Sequence, residues 1–218
     1  MFKTLALIAI AFLSNFSLLA AEAVVVKEST LKNGDLIFIE SRSRQSAAIK
    51  EVTNSEWTHM GVLFKEQNSS LVAESDDGKW MVYEAAGTGV AATLKSFVAR
   101  TKGPLSIRRI QTGISFEKAQ IGYQTAKKIL SKFYDIYFTK HNNYCSGYSY
   151  AVLKAMSYEV GEFIKISKLK LDGPEAKRIL LERFEKREAP FSKEEWKNLL
   201  TITPVSIHDS NQLVDVNF

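Results

Sequence analysis

A chain of 218 residues with 45% hydrophobic residues is long enough to bury a core without disulfides or a structural metal. Its formal charge of +5 is not segregated: KISKLKLDGPEAKRILLERFEKREAPFSKEEWK (165–197) mixes both signs, which describes a solvated helical surface and argues against a nucleic-acid partner. The single cysteine, Cys145, excludes an internal disulfide.

The first residues read MFKTLALIAIAFLSNFSLLAAEA. Lys3 precedes an apolar run from Leu5 to Leu13, a second patch spans Phe16 to Leu19, and the small residues Ala20, Ala21 and Ala23 follow. That order predicts a secretory signal peptide over 1–21, cut after one of those alanines. Ser14, Asn15 and Ser17 interrupt the run well before the ~20 apolar residues that a membrane span needs. The expectation is therefore an exported protein, periplasmic or secreted, with no integral membrane span after cleavage. Residues 22–218 are expected to form a single domain, since domains commonly run to about 100–200 residues. No cysteine lies near the cut, so lipoprotein attachment is not available.

In chain order, Asn33-Gly34 marks a turn before the β-rich run Leu36–Ile39. SAAIKEVT (46–53) reads as a short helix or an ordered loop. THMGVLFKE (58–66) and KWMVYEAAG (79–87) read as strands separated by the turn signals NSS and SDDGK. Gly103-Pro104 precedes a fourth strand, LSIRRIQ. From Ser115 the period becomes helical, with Ala119, Ile121, Tyr123, Ala126, Ile129, Leu130 and Phe133 on the apolar positions. Ser115 can cap that helix, and Glu117 suits its first turn. A polar loop (139–143) leads into CSGYSYAVLKAM, where Tyr148, Val152 and Ala155 share a side. A helix around 175–186, a short one begun by Ser192, and the segment after Pro204 complete the chain. Strands come first and helices after, which predicts an α+β fold.

An unpaired cysteine in an exported chain is an intermolecular partner, a reactive thiol or an inert buried hydrophobe. Cys145 stands where a polar loop meets a helical pattern. At a helix N-terminus, unpaired N–H groups and about half a positive charge favour the thiolate and can receive an oxyanion. Three histidines compete as its base. His59, at the head of a strand, ranks first, and His141, four residues before the thiol in a polar loop, ranks second; nothing local singles out His208. Glu84, at the end of an apolar strand, could orient an imidazole. It could equally lie in water or pair with Arg108 or Arg109.

Taken together, NGDLIFIES, EWTHMGVLF, VYEAAGTGV, FYDIYF and NYCSGYSYAV resemble the YiiX/YebB-like branch of the NlpC/P60 superfamily. The likeness spans about Leu31 to Met156 and continues more weakly into ITPVSIHDSNQLVDV. It implies a circularly permuted papain-like fold, with an antiparallel sheet or small barrel packed against the helix that carries the cysteine. It also implies a catalytic set of Cys145 as nucleophile, His59 as base and Glu84 as the orienting group. Asp35, Tyr144 and Ser146 match neighbouring family positions and are expected to support the site or bind substrate. One departure stands out, since relatives usually read Cys-Ser-Glu where this chain has Cys-Ser-Gly, leaving Gly147 in the place of an acid.

The implied activity is that of a thiol hydrolase cleaving an amide in a peptide or cell-wall fragment through an acyl-enzyme. The alternatives are a lipid acyltransferase or thioesterase on the same fold, or an inactive binding module. Phe133, Tyr134, Tyr137, Phe138, Tyr144, Tyr148 and Tyr150 would suit a lipid-derived acyl chain, and would equally suit a packed core. No cofactor is expected: no His, Cys and carboxylate set stands at metal-ligand spacing, and no Gly-rich loop would cradle a phosphate.

Overall fold

The turn at Asn33-Gly34 forms as its sequence predicts, because Gly34 takes a left-handed φ of +89° that a side chain would strain. Asn33 ties it to the neighbouring strand by accepting from Lys65 N at 2.7 Å and donating to Val72 O at 2.9 Å. These details come from a computed structural model that describes residues 26–86, 91–130, 134–139, 143–185 and 189–218. The expected signal peptide, His141 and Phe133 lie outside the described residues.

A 3₁₀ turn (Glu28–Thr30) precedes β1 (Leu36–Ser41), α1 (Ser46–Thr53) and β2 (His59–Gln67). There follow β3 (Ser70–Leu71), β4 (Lys79–Tyr83), β5 (Ala92–Thr93), α2 (Leu94–Val98) and β6 (Thr101–Ile110). The helices α3 (Phe116–Leu130) and α4 (Cys145–Ala155) come next, then β7 (Ile164–Lys165) and α5 (Pro174–Phe184). The chain closes with α6 (Lys193–Asn198), β8 (Leu200–Thr201), α7 (Pro204–His208) and β9 (Leu213–Asp215). The main sheet is antiparallel in the order β5-β4-β2-β1-β6-β9, with β3 beside β2. It ends at β5 and β9 without closing, so of the two expected architectures the open sheet forms and the barrel does not.

β1 is buried along its whole length because it is central and covered on both faces. Leu36 and Phe38 face a core shared with Met60, Val62, Phe64, Tyr123, Tyr148 and Val152, which packs α3 and α4 against the sheet. Ile37 and Ile39 face the other way, toward Leu63, Val82 and Phe97. This period-2 division is what pleated backbone imposes on an apolar run. The helix face of α3 differs from the expected one: Ala119, Gly122, Tyr123 and Ala126 are buried, whereas Ile121 is 51% exposed. Gly122 stands at the contact instead, where a Cβ would sit 2.5 Å from Met156 Sδ and 2.8 Å from its Cγ, so a larger residue would force that side chain to move. Likewise Leu153 and Met156, rather than Ala155, join Tyr148 and Val152 in the core.

β6 starts earlier than the Gly103-Pro104 signal suggests, at Thr101. The signal still marks an irregularity. Ile39 pairs with Leu105 and Ser41 with Thr101, so Lys102, Gly103 and Pro104 of β6 stand opposite Glu40 alone. That bulge accommodates Pro104, which has no N–H for a ladder.

Candidate active site

His59 is the first residue of β2 and lies opposite Ile39 of β1. Just before it, Thr58 is buried, and its hydroxyl accepts from Ser41 N at 2.9 Å and meets Ser46 Oγ at 2.7 Å. Those bonds fix where the strand starts and hence where the imidazole sits. Glu84 directly follows β4, whose Tyr83 pairs with Val62. That register brings Glu84 alongside Gly61, where a Cβ would stand 3.3 Å from Glu84 Cβ and 3.0 Å from Tyr83 O. The glycine thus allows the carboxylate to reach back to the imidazole.

Glu84 Oε2 pairs with His59 Nε2, and Glu84 Oε1 accepts from Arg100 Nη2. The His59 ring stacks on Phe97 of α2 with centroids 5.7 Å apart, and the Arg100 guanidinium lies 4.8 Å from the same ring. Because Nε2 is taken by Glu84, Nδ1 is the nitrogen left for the Cys145 thiol. Burial alone would lower the His59 pKa. The hydrogen bonds and charges of Cys145 and Glu84 outweigh that and raise it to about 9. Burial likewise pushes Glu84 upward, but His59 and Arg100 together hold it below the usual carboxylate range.

Cys145 is 2% exposed and is the first residue of α4. Its N-cap, Tyr144, accepts no first-turn N–H with its side chain, and among the described residues Cys145, Ser146 and Gly147 N–H have no acceptor. The positive end of the helix is therefore open beside the sulfur, an arrangement that stabilises a thiolate. Tyr144 faces away and accepts from Ile202 N at 3.0 Å and Thr201 Oγ1 at 3.2 Å. The Ser146 hydroxyl donates to Ile202 O at 2.8 Å. Both residues thereby clamp Thr201 and Ile202 onto the start of α4. Gly147 is buried in the first turn of α4 and puts no side chain into the site.

Two hollows border the pair, one lined by Cys145 and the other by His59. One is almost wholly apolar, with Ile49, Val52, Phe138, Tyr144, Ile202 and Pro204 around Cys145. The other is an open polar cleft holding His59, Arg100, Ser41, Gln45 and Tyr134.

The chain matches, over residues 30–217, the family model described as the permuted papain-like amidase enzyme, YaeF/YiiX, C92 family. The chain belongs to this family. YiiX of Escherichia coli K12 is 32% identical over 189 residues, covering 85% of each chain. A crystal structure of YiiX from Escherichia coli O157:H7, described as a metalloprotein, superposes with a TM-score of 0.73 at 32% identity. That match covers 86% of this chain and 97% of the other. The α+β sheet-and-helix architecture is thus the permuted papain-like one, and the protein is a hydrolase of the amidase kind.

Of the residues singled out in the sequence, Cys145, His59 and Glu84 come together, with Tyr144 and Ser146 in the shell beneath the thiol. Asp35 does not join them. It sits before β1, at the end remote from Ile39 and His59, where Arg109 donates to both its oxygens at 2.7 Å. His208 is likewise elsewhere: it stacks on Trp57 at 4.4 Å and bonds Asp209 and Ser106. The sequence reading did not find Arg100, Phe97 or Gln45. Nothing local marks them, since each reaches the site only through strand register and loop closure.

Proposed function

We propose that this chain is an exported cysteine amidase with Cys145 as nucleophile, His59 as base and acid, and Glu84 as the orienting carboxylate. The observation that carries this reading is that one imidazole is paired with a buried carboxylate and has its pKa raised by the thiol that opens α4. His59 takes the thiol proton, and the thiolate adds to the amide carbonyl. As the tetrahedral adduct collapses, the C–N bond breaks and the imidazolium returns its proton to the leaving amine. Water, deprotonated by His59, then hydrolyses the thioester. Glu84 keeps Nε2 occupied, so Nδ1 always faces the sulfur, and Arg100 keeps Glu84 ionised.

The hollow beside Cys145 favours an apolar group on the acyl side. A second apolar cavity shares the Ile49, Val52, Phe138, Leu169 and Trp196 walls, which extends the space available to that group. The polar cleft beside His59 suits the leaving amine of a peptide or cell-wall fragment. YiiX is described as a metalloprotein, but the donors here do not fit a metal. Both Glu84 oxygens and His59 Nε2 are committed to each other and to Arg100, and no three His, Cys, Asp or Glu converge as a metal site among the described residues. No step is assigned to a metal. Export rests on the order of charge, apolar run and small residues in 1–21, and the N-terminal sequence of the mature chain tests it.

Cys145→Ala is expected to abolish hydrolysis of acyl p-nitroanilides while the far-UV circular dichroism stays unchanged; wild-type turnover in that variant would refute the assignment. Among these substrates a hexanoyl or phenylacetyl group is expected to exceed a succinyl group by about tenfold or more in kcat/KM.

A further inference from the structure

The polar cleft that holds His59 has cations on its wall and no acid. Arg42 and Arg100 both line it, and no Asp or Glu does among the described residues. The two arginines belong to one edge. Arg42 directly follows β1, its backbone N–H donates to Arg100 O at 2.9 Å, and its Nε donates to Thr101 O at 3.0 Å. Arg42 is thereby tied to the start of β6 through backbone and side chain alike.

The charges around the cleft do not cancel. Arg100 is paired with Glu84, and Cys145 with His59 sums to zero whether the two are neutral or a thiolate and an imidazolium. Arg42 makes no ion pair among the described residues, and of its side-chain nitrogens only Nε is engaged. The cleft therefore keeps one positive charge, with both guanidinium NH₂ groups available to a carboxylate. Beside it, Ser41 is buried and its hydroxyl oxygen accepts from Ser43 N at 3.0 Å. The Ser41 O–H is left to donate, and among the described residues it has no acceptor.

His59 fixes which part of a substrate lies here. It returns its proton to the departing nitrogen, so whatever that nitrogen carries falls in the cleft that His59 lines. We propose that the leaving amine carries a carboxylate, that Arg42 and Ser41 bind it, and that the substrates are accordingly N-acyl amino acids, the C-terminal residue of a peptide included. The proposal rests on the amidase reading with Cys145 as nucleophile. When the tetrahedral adduct collapses, the C–N electron pair goes to nitrogen, His59 supplies the proton, and the amino acid departs with its carboxylate still ionised. Arg42 takes no part in those bond changes. Its contact is made before and during the reaction alike, so it acts mainly on KM.

The test compares hexanoylglycine with hexanoylglycinamide, which has the same acyl group and nearly the same shape but no charge. Release of glycine or glycinamide is followed by mass spectrometry. The wild-type enzyme is expected to favour hexanoylglycine by about tenfold in kcat/KM, mostly through KM, which is the scale of one charge-assisted hydrogen bond. Arg42→Gln should bring that ratio to within about twofold of one. Arg42→Lys should keep part of the preference, since a point charge replaces the guanidinium fork. A wild-type ratio near one, or no cleavage of either amide, would overturn the proposal. So would an Arg42→Gln enzyme that loses activity on both amides yet keeps the wild-type ratio, which would make Arg42 a structural residue. Hexanoyl p-nitroanilide separates this from the underlying reading: if the wild-type enzyme leaves it intact, or Cys145→Ala cleaves it as wild type does, the amidase assignment fails first and takes this inference with it.

Discussion

Glu84 is 2% exposed at its side chain and is shared between a base and a cation. A carboxylate so buried stays ionised only if its partners offset the desolvation that burial imposes. His59 and Arg100 do so together, which gives Arg100 a role that can be tested. Arg100→Met leaves burial less opposed, so the Glu84 pKa rises and the orienting charge is lost at a higher pH. We expect kcat/KM for an acyl p-nitroanilide to fall about tenfold, with the acid limb of its pH profile moving upward. The Arg100 side chain is 37% exposed, so solvent screening holds the stability cost to about 1–2 kcal/mol. The sequence had pointed to an arginine for Glu84, but to Arg108 or Arg109. Those two are engaged by Asp215 and Asp35. Arg100 reaches Glu84 because α2 folds back over the strand ends, a placement that no local pattern records.

Strand β1 and helix α4 are the elements that set the site, and each is anchored away from the chemistry. Asp35 holds the entry to β1 by accepting from Arg109 twice and from Lys32 N at 2.8 Å. Asp35→Asn breaks a buried charge pair and is expected to destabilise the protein by about 2–4 kcal/mol, read from urea unfolding. The iodoacetamide rate of the folded protein should be unchanged, since Asp35 lies at the far end of the strand from His59. A slower thiol in folded Asp35→Asn protein would instead place the residue in the site. Helix α4 is legible in the sequence down to its first residue, because a polar loop yields there to helical spacing. The small-residue contact at Gly122 was not read from the sequence, and the bulge at Gly103-Pro104 was only half legible. Glycine and proline announce an irregularity, yet whether it is a turn, a bulge or a close helix crossing depends on the partner element.

For the whole molecule, the site couples folding to pH. His59 in the folded chain keeps its proton to about 9, against 6.5 when exposed, so between those values the native state binds more protons than the unfolded one. Its contribution is complete below 6.5 and is lost as pH rises through 9. Glu84 acts in the opposite sense: its contribution is present above the ordinary 4.5 and is lost as pH falls through its lowered value. The melting temperature should therefore decline from pH 6.5 to 9, and Cys145→Ser should shift that decline to lower pH by removing the sulfur that helps to raise the His59 pKa. A flat melting profile across this range would mean that His59 is not paired as described. The sequence by itself determined the class of fold, the helix that opens on Cys145, and the residue types the thiol would need, because hydrophobic period and turn chemistry are local. Only the tertiary structure decided that Arg100 backs Glu84, that Asp35 stands apart, and that Gln45 donates to the Tyr134 hydroxyl oxygen. Those are facts of strand register, bulge position and loop closure, which depend on residues far apart in the chain meeting in one low-dielectric site.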